Sequence, residues 1–121
     1  MKTLPTRLVL LLSLLLTQCQ RPEEAQAPDQ LLTKERMVQL LIQVHLNEAR
    51  VEASRLSADS SRALYNKLHQ ELLWNKEVTD SVFRASYHYY AVHGKDLEEI
   101  YTTVVDSLAM REVKMTGQPK P

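Results

Sequence analysis

Cysteine and glycine are scarce in this chain of 121 residues, which contains one Cys and two Gly. A single cysteine excludes a disulfide framework within the chain. Two glycines are too few for the Gly-rich loops that hold phosphate groups. The formal net charge is zero, with 15 basic and 15 acidic side chains, so the clustered cationic face that nucleic-acid binding requires is not indicated.

A short apolar run near the amino terminus is the clearest feature that the chain does contain. Lys2 and Arg7 precede or border the nearly continuous apolar segment Leu8–Leu16. This segment is about half the length of a membrane-spanning helix and is typical of a signal-peptide core. A leucine stands three positions before Cys19, as lipoprotein signals require. We therefore expect residues 1–18 to be a lipoprotein signal peptide and Cys19 to carry covalent diacylglycerol and a fatty acyl chain such as palmitate.

Two features leave alternatives to this processing open. Gln18 occupies the position before the cysteine, where Gly, Ala or Ser is usual in lipoproteins. A small-x-small cleavage site also exists at 25–27, although it lies well beyond the apolar run and would make Pro28 the first mature residue. The alternative to lipidation is a plain signal peptide or an uncleaved anchor, in which Cys19 is a bystander thiol.

The segment 19–32 is predicted to be a lipidated, flexible tether. It contains two prolines and no periodic apolar pattern until Leu31, and it reaches about 40 Å when fully extended. Its acidic pair, Glu23 and Glu24, is similar to the signal that sends some Bacteroidetes lipoproteins to the cell surface, although an ordinary acidic linker has the same composition. We expect lipid anchoring in a bacterial cell envelope, at the outer membrane, on its periplasmic face or at the cell surface.

Residues 33–115 are predicted to form an all-α domain, because this stretch has one Gly, no Pro and apolar residues spaced three and four apart. Four helices with short joints give a compact bundle behind the signal peptide and the tether. Thr33 is expected to cap a first helix that ends near Leu56, and a polar break at 57–61 precedes the second. Residues 116–121 are expected to be a disordered tail.

The second half of the domain is predicted from its capping residues. The third helix is expected to begin with Thr79 or Asp80 as its cap. Gly94 is expected to end that helix in a left-handed conformation. Asp96 and Glu99 have the spacing of a capping box, which predicts the start of the fourth helix.

The third predicted helix concentrates the aromatic side chains of the domain. Helical spacing places Phe83, Tyr87 and Tyr90 on one face and Tyr89 with His93 on another. These rings would form either a platform for a sugar ring or a partner helix, or a bundle core with the hydroxyls hydrogen-bonded at its rim, which is the simpler interpretation. On the first interpretation, the candidate binding groove, bordered by the first and third helices, consists of His45, Glu48, Ser86, Tyr87, Tyr89, Tyr90 and Tyr101.

The patterns for metal binding and catalysis are incomplete. His45 and Glu48 are one helical turn apart and are compatible with two metal ligands from one helix, but a di-metal bundle needs further inward His and Glu residues. His69 and Glu71 do not share a helix face. No serine lies in a Gly-x-Ser-x-Gly setting. We therefore expect no catalytic residues, no metal site and no cofactor apart from the covalent lipid.

The order of these elements resembles that of small Bacteroidetes lipoproteins in a family of unknown function, domain of unknown function 4296. The similarity lies in the first-helix segment Val44–Ala49, the element Ser86-x-x-Tyr89-Tyr90 and the pair Ile100-Tyr101 after a short turn. Family members often have Pro after the Ser-x-x-Tyr-Tyr element, where this chain has Gly94. The resemblance covers nearly the whole domain. It implies an exported all-α protein and no particular activity.

The sequence therefore predicts a membrane-anchored envelope lipoprotein whose helical domain is a non-enzymatic module that docks a protein or a glycan. The alternative from another class is a small envelope enzyme or metal-binding protein that uses His45, Glu48 and the Tyr-rich third helix. A structural spacer without a ligand is a third interpretation. No nucleic-acid partner is expected, because the chain has no cationic cluster.

Overall fold

The computed structural model describes residues 26–117, and these residues form four α-helices and no strand. In chain order the helices are α1 (Lys34–Ala53), α2 (Ala58–Asn75), α3 (Asp80–Val92) and α4 (Gly94–Thr116). The predicted all-α bundle of about four helices is confirmed. None of the helices in this range is long and apolar enough to cross a membrane. The predicted signal peptide and Cys19 lie outside the described residues, as do residues 118–121 of the predicted tail.

Hydroxyl side chains define the beginnings of the first three helices. Thr33, Ser57 and Thr79 are the residues before α1, α2 and α3, and each hydroxyl accepts a hydrogen bond from the backbone N–H three positions later. The oxygen-to-nitrogen distances are 3.2, 3.3 and 3.3 Å. These bonds satisfy amides that have no partner within the helix, which is why capping residues predicted the helix starts well.

The ends of α1 and α2 use left-handed residues that are not glycine. α1 ends at Ala53, three residues earlier than expected, and Arg55 follows with a φ of 51°. Glu77, after the end of α2, has a φ of 53°. Glycine is favoured in this conformation because it has no Cβ. At Arg55 and Glu77 the backbone N–H donates to the carbonyl three residues earlier, and these hydrogen bonds help to stabilise the turns without a glycine.

The junction between α3 and α4 differs from the prediction. Gly94 does not end the third helix in a left-handed conformation; it is the first residue of α4, and the one glycine with positive φ is Gly117, at 69°. His93 alone separates the two helices. Its N–H donates to the Tyr89 carbonyl at 3.2 Å, and its own carbonyl accepts from the Asp96 N–H at 2.8 Å. One residue outside helical geometry therefore turns the chain.

The predicted capping box at the start of α4 does not form. No side chain caps this helix. Asp96 Oδ1 and Glu99 Oε2 instead contact Lys34 Nζ, at 2.5 and 2.7 Å. The two carboxylates raise the pKa of Lys34, and its ammonium lowers the pKa of Asp96. This cluster joins the first turn of α1 to the first turns of α4, so the two helices begin at the same end of the bundle.

The core is built around α1, which packs against α2 and α4, while α3 packs against α4. Apolar residues of α1 recur at the three and four spacing of one face, and their burial is the main source of stability. The fully buried side chains Met37 and Leu40 of α1 meet Ile100 and Val104 of α4 in this core. The remaining buried apolar residues are Leu32, Leu41, Ile42, Val44, Leu72, Leu73, Val78 and Tyr90.

The chain enters the bundle at Leu32, whose backbone is bound by two side chains of α3. Ser86 Oγ accepts a hydrogen bond from the Leu32 N–H at 3.0 Å, and Tyr90 Oη donates one to the Leu32 carbonyl at 2.7 Å. The Leu32 side chain is buried in the core, and Leu31 packs against it. The packed part of the chain therefore begins within the segment predicted as tether, because two helical side chains satisfy its non-helical backbone.

The variant Tyr90→Phe is expected to destabilise the domain by about 1–3 kcal/mol, because it leaves the buried Leu32 carbonyl without its hydrogen-bond donor. The matched control is Tyr89→Phe, which removes a hydroxyl from the neighbouring position and is expected to change stability by less than about 0.5 kcal/mol. Urea unfolding followed by circular dichroism measures both free energies. Equal effects of the two variants would show that the Leu32 contact contributes nothing.

Candidate functional site

Six aromatic and imidazole rings, contributed by all four helices, form a continuous row of contacts. We call the set His45, Tyr65, His69, Phe83, Tyr87 and Tyr101 the aromatic row. Successive ring centroids lie 5.8, 5.5 and 6.5 Å apart from Tyr65 through His69 and Phe83 to Tyr87. All six side chains are partly exposed. The row is therefore both packed between helices and accessible at its edge.

Helix geometry places four of the six rings in pairs. Tyr65 and His69 of α2 are one turn apart, as are Phe83 and Tyr87 of α3, so each pair lies on one helix face. The short α2–α3 turn then brings His69 within 5.5 Å of Phe83. The other contacts of the row join different helices, so no local sequence pattern predicts them.

Tyr101 of α4 connects α1 to α3. Its hydroxyl lies 3.4 Å from the Tyr87 hydroxyl, and its ring centroid lies 5.9 Å from that of His45. Burial, the Tyr87 hydroxyl and the charge of Glu48 together raise the pKa of Tyr101 to about 12. Burial and the Glu48 charge also raise the pKa of Tyr65. Both phenols are therefore protonated at neutral pH and act as neutral hydrogen-bonding groups.

Glu48 provides a negative charge at the α1 end of the row. Its Oε2 lies 2.8 Å from Nδ1 of His45, one helical turn earlier. The carboxylate is about half exposed, with a side-chain exposure of 49%. His45 and Glu48 therefore bind one another and also border the rings.

His69, in the middle of the row, carries an unsatisfied polar atom. Its Nδ1 is buried and has no hydrogen-bond partner among residues 26–117. Its other ring nitrogen, Nε2, lies 3.6 Å from Asp80 Oδ1, which is too far for a hydrogen bond. A buried polar atom without a partner costs stability, so packing alone does not explain why a histidine occupies this position.

A cavity of about 400 Å³ adjoins the row between the end of α1 and the start of α2. It shares Glu48 and Tyr65 with the row, and Val51 and Leu56 contribute to its apolar surface. Two arginines, at positions 55 and 62, and a second carboxylate, Glu52, also line it. Neither arginine forms an ion pair within the described part of the chain. The cavity therefore combines an apolar wall with charged groups of both signs.

The structure divides the predicted groove residues into three groups. His45, Glu48, Tyr87 and Tyr101 come together at the aromatic row. Ser86 and Tyr90 are buried and bind Leu32. Tyr89 contacts the rings of Tyr90 and His93, at centroid distances of 5.5 and 4.4 Å. Tyr101 also lies between His45 and Tyr87, where a groove between the first and third helices was expected.

Three residues of the row, Tyr65, His69 and Phe83, and the adjoining cavity were absent from the predicted groove. The spacing of Tyr65 and His69 indicates a shared helix face, but nothing local indicates that this face meets α3. The cavity depends on the left-handed turn at Arg55, which no glycine signals. The missed residues and the cavity both depend on how the helices pack against one another, which the sequence pattern does not indicate.

Residues 26–117 contain no group of three or more His, Cys, Asp or Glu side chains that could hold a metal ion. Within this range His45 and Glu48 remain a pair without a third ligand.

Comparison with protein families identifies the domain. Residues 28–114 match the family described as Domain of unknown function (DUF4296). The chain belongs to this family. A comparison with curated proteins and with solved structures found no match. The matched range contains Leu32, Ser86 and Tyr90, so the contact that holds the entering chain lies within the family domain.

The variant His69→Phe is expected to leave stability unchanged or to raise it by up to about 1 kcal/mol, because Phe keeps the ring contacts and removes an unsatisfied buried nitrogen. The control His88→Phe lies at an exposed position of α3 and is expected to change stability by less than about 0.5 kcal/mol. Chemical denaturation of both variants checks this. A loss above about 1 kcal/mol for His69→Phe would mean that the nitrogen has a stabilising partner.

Proposed function

We propose that this protein is a lipid-anchored lipoprotein of the bacterial envelope whose helical domain binds a protein or a glycan without catalysing a reaction. The ligand docks on the aromatic row and the adjoining cavity. The observation that carries this proposal is their continuity: Glu48 and Tyr65 belong to both, so rings from four helices lead into a concave surface.

The residue types at this surface favour binding. Tyrosine gives a large contact area with a polar tip and few rotatable bonds, and tyrosine and arginine are both enriched where binding energy is concentrated. Arg55 and Arg62 suit an acidic group of the ligand, and Val51 and Leu56 suit an apolar one. Glu48 and Glu52 line the same cavity and suit a basic group or a hydroxyl group. A partner with an apolar body and polar groups of both kinds therefore fits the cavity.

Two properties of the row support a non-enzymatic role. The raised pKa values of Tyr65 and Tyr101 keep both phenols protonated, so neither is an activated nucleophile or base near neutral pH. His45 is hydrogen-bonded to Glu48, and within the described residues it has no hydrogen bond to a serine or threonine hydroxyl. The hydrogen-bond partner of this imidazole is thus a carboxylate, which suits a role in binding.

The anchor is supported by the amino-terminal sequence and by the place where the domain begins. The apolar run before Cys19 is typical of a lipoprotein signal, and the packed chain starts at Leu31 and Leu32. The intervening residues span at most about 40 Å, which keeps the domain beside the bilayer.

The ligand site is tested by placing the photo-crosslinking residue p-benzoylphenylalanine at position 65 in living cells, with the exposed neighbouring position 66 as control. We expect a discrete adduct from position 65 only, because Tyr65 lines the cavity. Arg62→Glu is expected to weaken that adduct about tenfold, while Lys67→Glu, away from the cavity lining, leaves it unchanged. Sensitivity of the adduct to protease or to glycosidase identifies the class of ligand.

The same strains test the anchor, because Cys19→Ser is expected to move the protein out of the membrane fraction and to abolish labelling with radioactive palmitate. Equal adducts from positions 65 and 66 would contradict the docking site. Stoichiometric metal in the purified protein that is lost with His45→Ala would contradict the non-enzymatic role and favour a metal-binding one.

A further inference from the structure

Trp74 is the most exposed large apolar side chain among those of residues 26–117. It is 84% exposed, and the chain contains no other tryptophan. Tryptophan has the largest apolar surface of any side chain, so leaving it in water forgoes a large gain from burial. Trp74 is therefore suited to contact something outside the domain.

The backbone around Trp74 is fixed by the turn that ends α2. The Val78 N–H donates to the Leu73 carbonyl at 3.0 Å, and the Glu77 N–H donates to the Trp74 carbonyl at 3.0 Å. Leu73 and Val78 are both buried in the core. These two hydrogen bonds and the apolar contact are those of a Schellman motif. The exposure of Trp74 therefore belongs to an ordered turn.

Trp74 lies at the end of the bundle where the tether enters. Trp74 is in the last turn of α2, and the guanidinium of Arg36, in the first turn of α1, donates to the Lys76 carbonyl at 2.6 Å. Leu32 immediately precedes that first turn. Leu56 lies past the other end of α1, a helix of 20 residues, which corresponds to roughly 30 Å.

We propose that Trp74, with the adjoining apolar cavity of about 420 Å³ lined by Leu73, Glu77, Val78 and Thr79, contacts the lipid bilayer and seats the anchored domain on its surface. This inference rests on the proposed lipid anchor at Cys19. Tryptophan favours the boundary between headgroups and acyl chains, because its ring is apolar and its N–H needs a polar partner.

The charges near Trp74 indicate what kind of membrane contact this is. Glu35 and Arg36 lie in the first turn of α1, and Lys76 and Glu77 follow Trp74, so these cations and anions balance. Lys34, in the same turn of α1, is bound to Asp96 and Glu99. This end of the domain therefore has no polybasic patch for anionic headgroups. The contact depends on the tryptophan and on the anchor that holds it close, and it is expected to be insensitive to the charge of the lipid.

Seating the domain on Trp74 also orients the ligand site. The cavity with Leu56 and Arg62 lies at the opposite end of α1, roughly 30 Å from the bilayer surface. This cavity would then face away from the membrane, toward soluble or wall-bound partners.

The single tryptophan makes the test direct. Mature protein that begins with acylated Cys19, with its acyl chains verified by mass spectrometry, is reconstituted into phosphatidylethanolamine and phosphatidylglycerol vesicles. Some vesicles carry acyl chains brominated close to the headgroup, since bromine quenches tryptophan on contact. We expect the Trp74 emission to shift to shorter wavelength and to be quenched. Phosphatidylcholine vesicles brominated at the same position are expected to give the same result.

Two variants serve as controls. The double variant with Trp74→Phe and Leu56→Trp moves the probe to the opposite end, and its emission is expected to remain unshifted and unquenched. Cys19→Ser is expected to leave Trp74 in water, because one tryptophan without the anchor binds a bilayer too weakly to remain there.

The outcomes separate the two proposals. Protein that carries no acyl chain and does not float with the vesicles overturns the anchor. Acylated, vesicle-bound protein whose Trp74 emission is unquenched overturns the membrane contact alone. A shift of emission without quenching by brominated lipid overturns it as well, because a second copy of this chain then covers the tryptophan. Equal quenching at positions 74 and 56 overturns the orientation.

Discussion

The bundle depends on the capture of one non-helical residue, Leu32, by α3. Its N–H and its carbonyl are both hydrogen-bonded by side chains, and its own side chain is buried. Ser86 and Tyr90 are one helical turn apart, so both side chains lie on the same face of α3 and can bind the same residue. An extended segment can enter a helical core only if its backbone polar groups find such partners.

That capture fixes the relation between the two halves of the chain. Leu32 is followed at once by the Thr33 cap and by α1, so holding Leu32 against α3 sets where α1 begins. The Lys34 contacts with Asp96 and Glu99 then align α1 with α4. With α3 and α4 placed in this way, Tyr101 falls between Tyr87 and His45 and completes the aromatic row. The candidate site is therefore a consequence of how the chain enters its fold.

Residues that act within their own helical turn predicted where the helices begin. The predictions failed where contacts between distant parts of the chain determine the structure. Thr33, Ser57 and Thr79 act within their own turns, so their capping roles could be predicted from the sequence. The expected capping box failed because α4 begins at Gly94, which places Asp96 inside the first turn and not before it. Its carboxylate and that of Glu99 contact Lys34, more than 60 positions away. Arg55 and Glu77, which are not glycine, have positive φ at a backbone cost of about 1 kcal/mol, whereas Gly94 is helical. At Glu77 two backbone hydrogen bonds and the burial of Val78 offset that cost.

In the candidate site, too, local contacts could be predicted from the sequence and distant contacts could not. His45 and Glu48, one turn apart, could be paired from the sequence, and they bind one another. Ser86 and Tyr90 belong to the Ser-x-x-Tyr-Tyr element of the family resemblance and were predicted to line a groove. They instead bind Leu32, which lies 54 and 58 positions away, and no local pattern indicates so distant a partner. Their contacts give a physical reason for the Ser-x-x-Tyr-Tyr element: its serine and second tyrosine bind the entering chain.

The most direct measurement of this arrangement is amide hydrogen exchange at Leu32, followed by NMR. The structure predicts that the Leu32 amide exchanges as slowly as the amides of the buried core, because its proton is held by Ser86 in a site closed to water. Ser86→Ala is expected to accelerate exchange at Leu32 more than at Leu40. Exchange at Leu32 in the unmodified protein as fast as at the exposed Gln26 and Ala27 would contradict the capture of this residue and the fold organisation built on it.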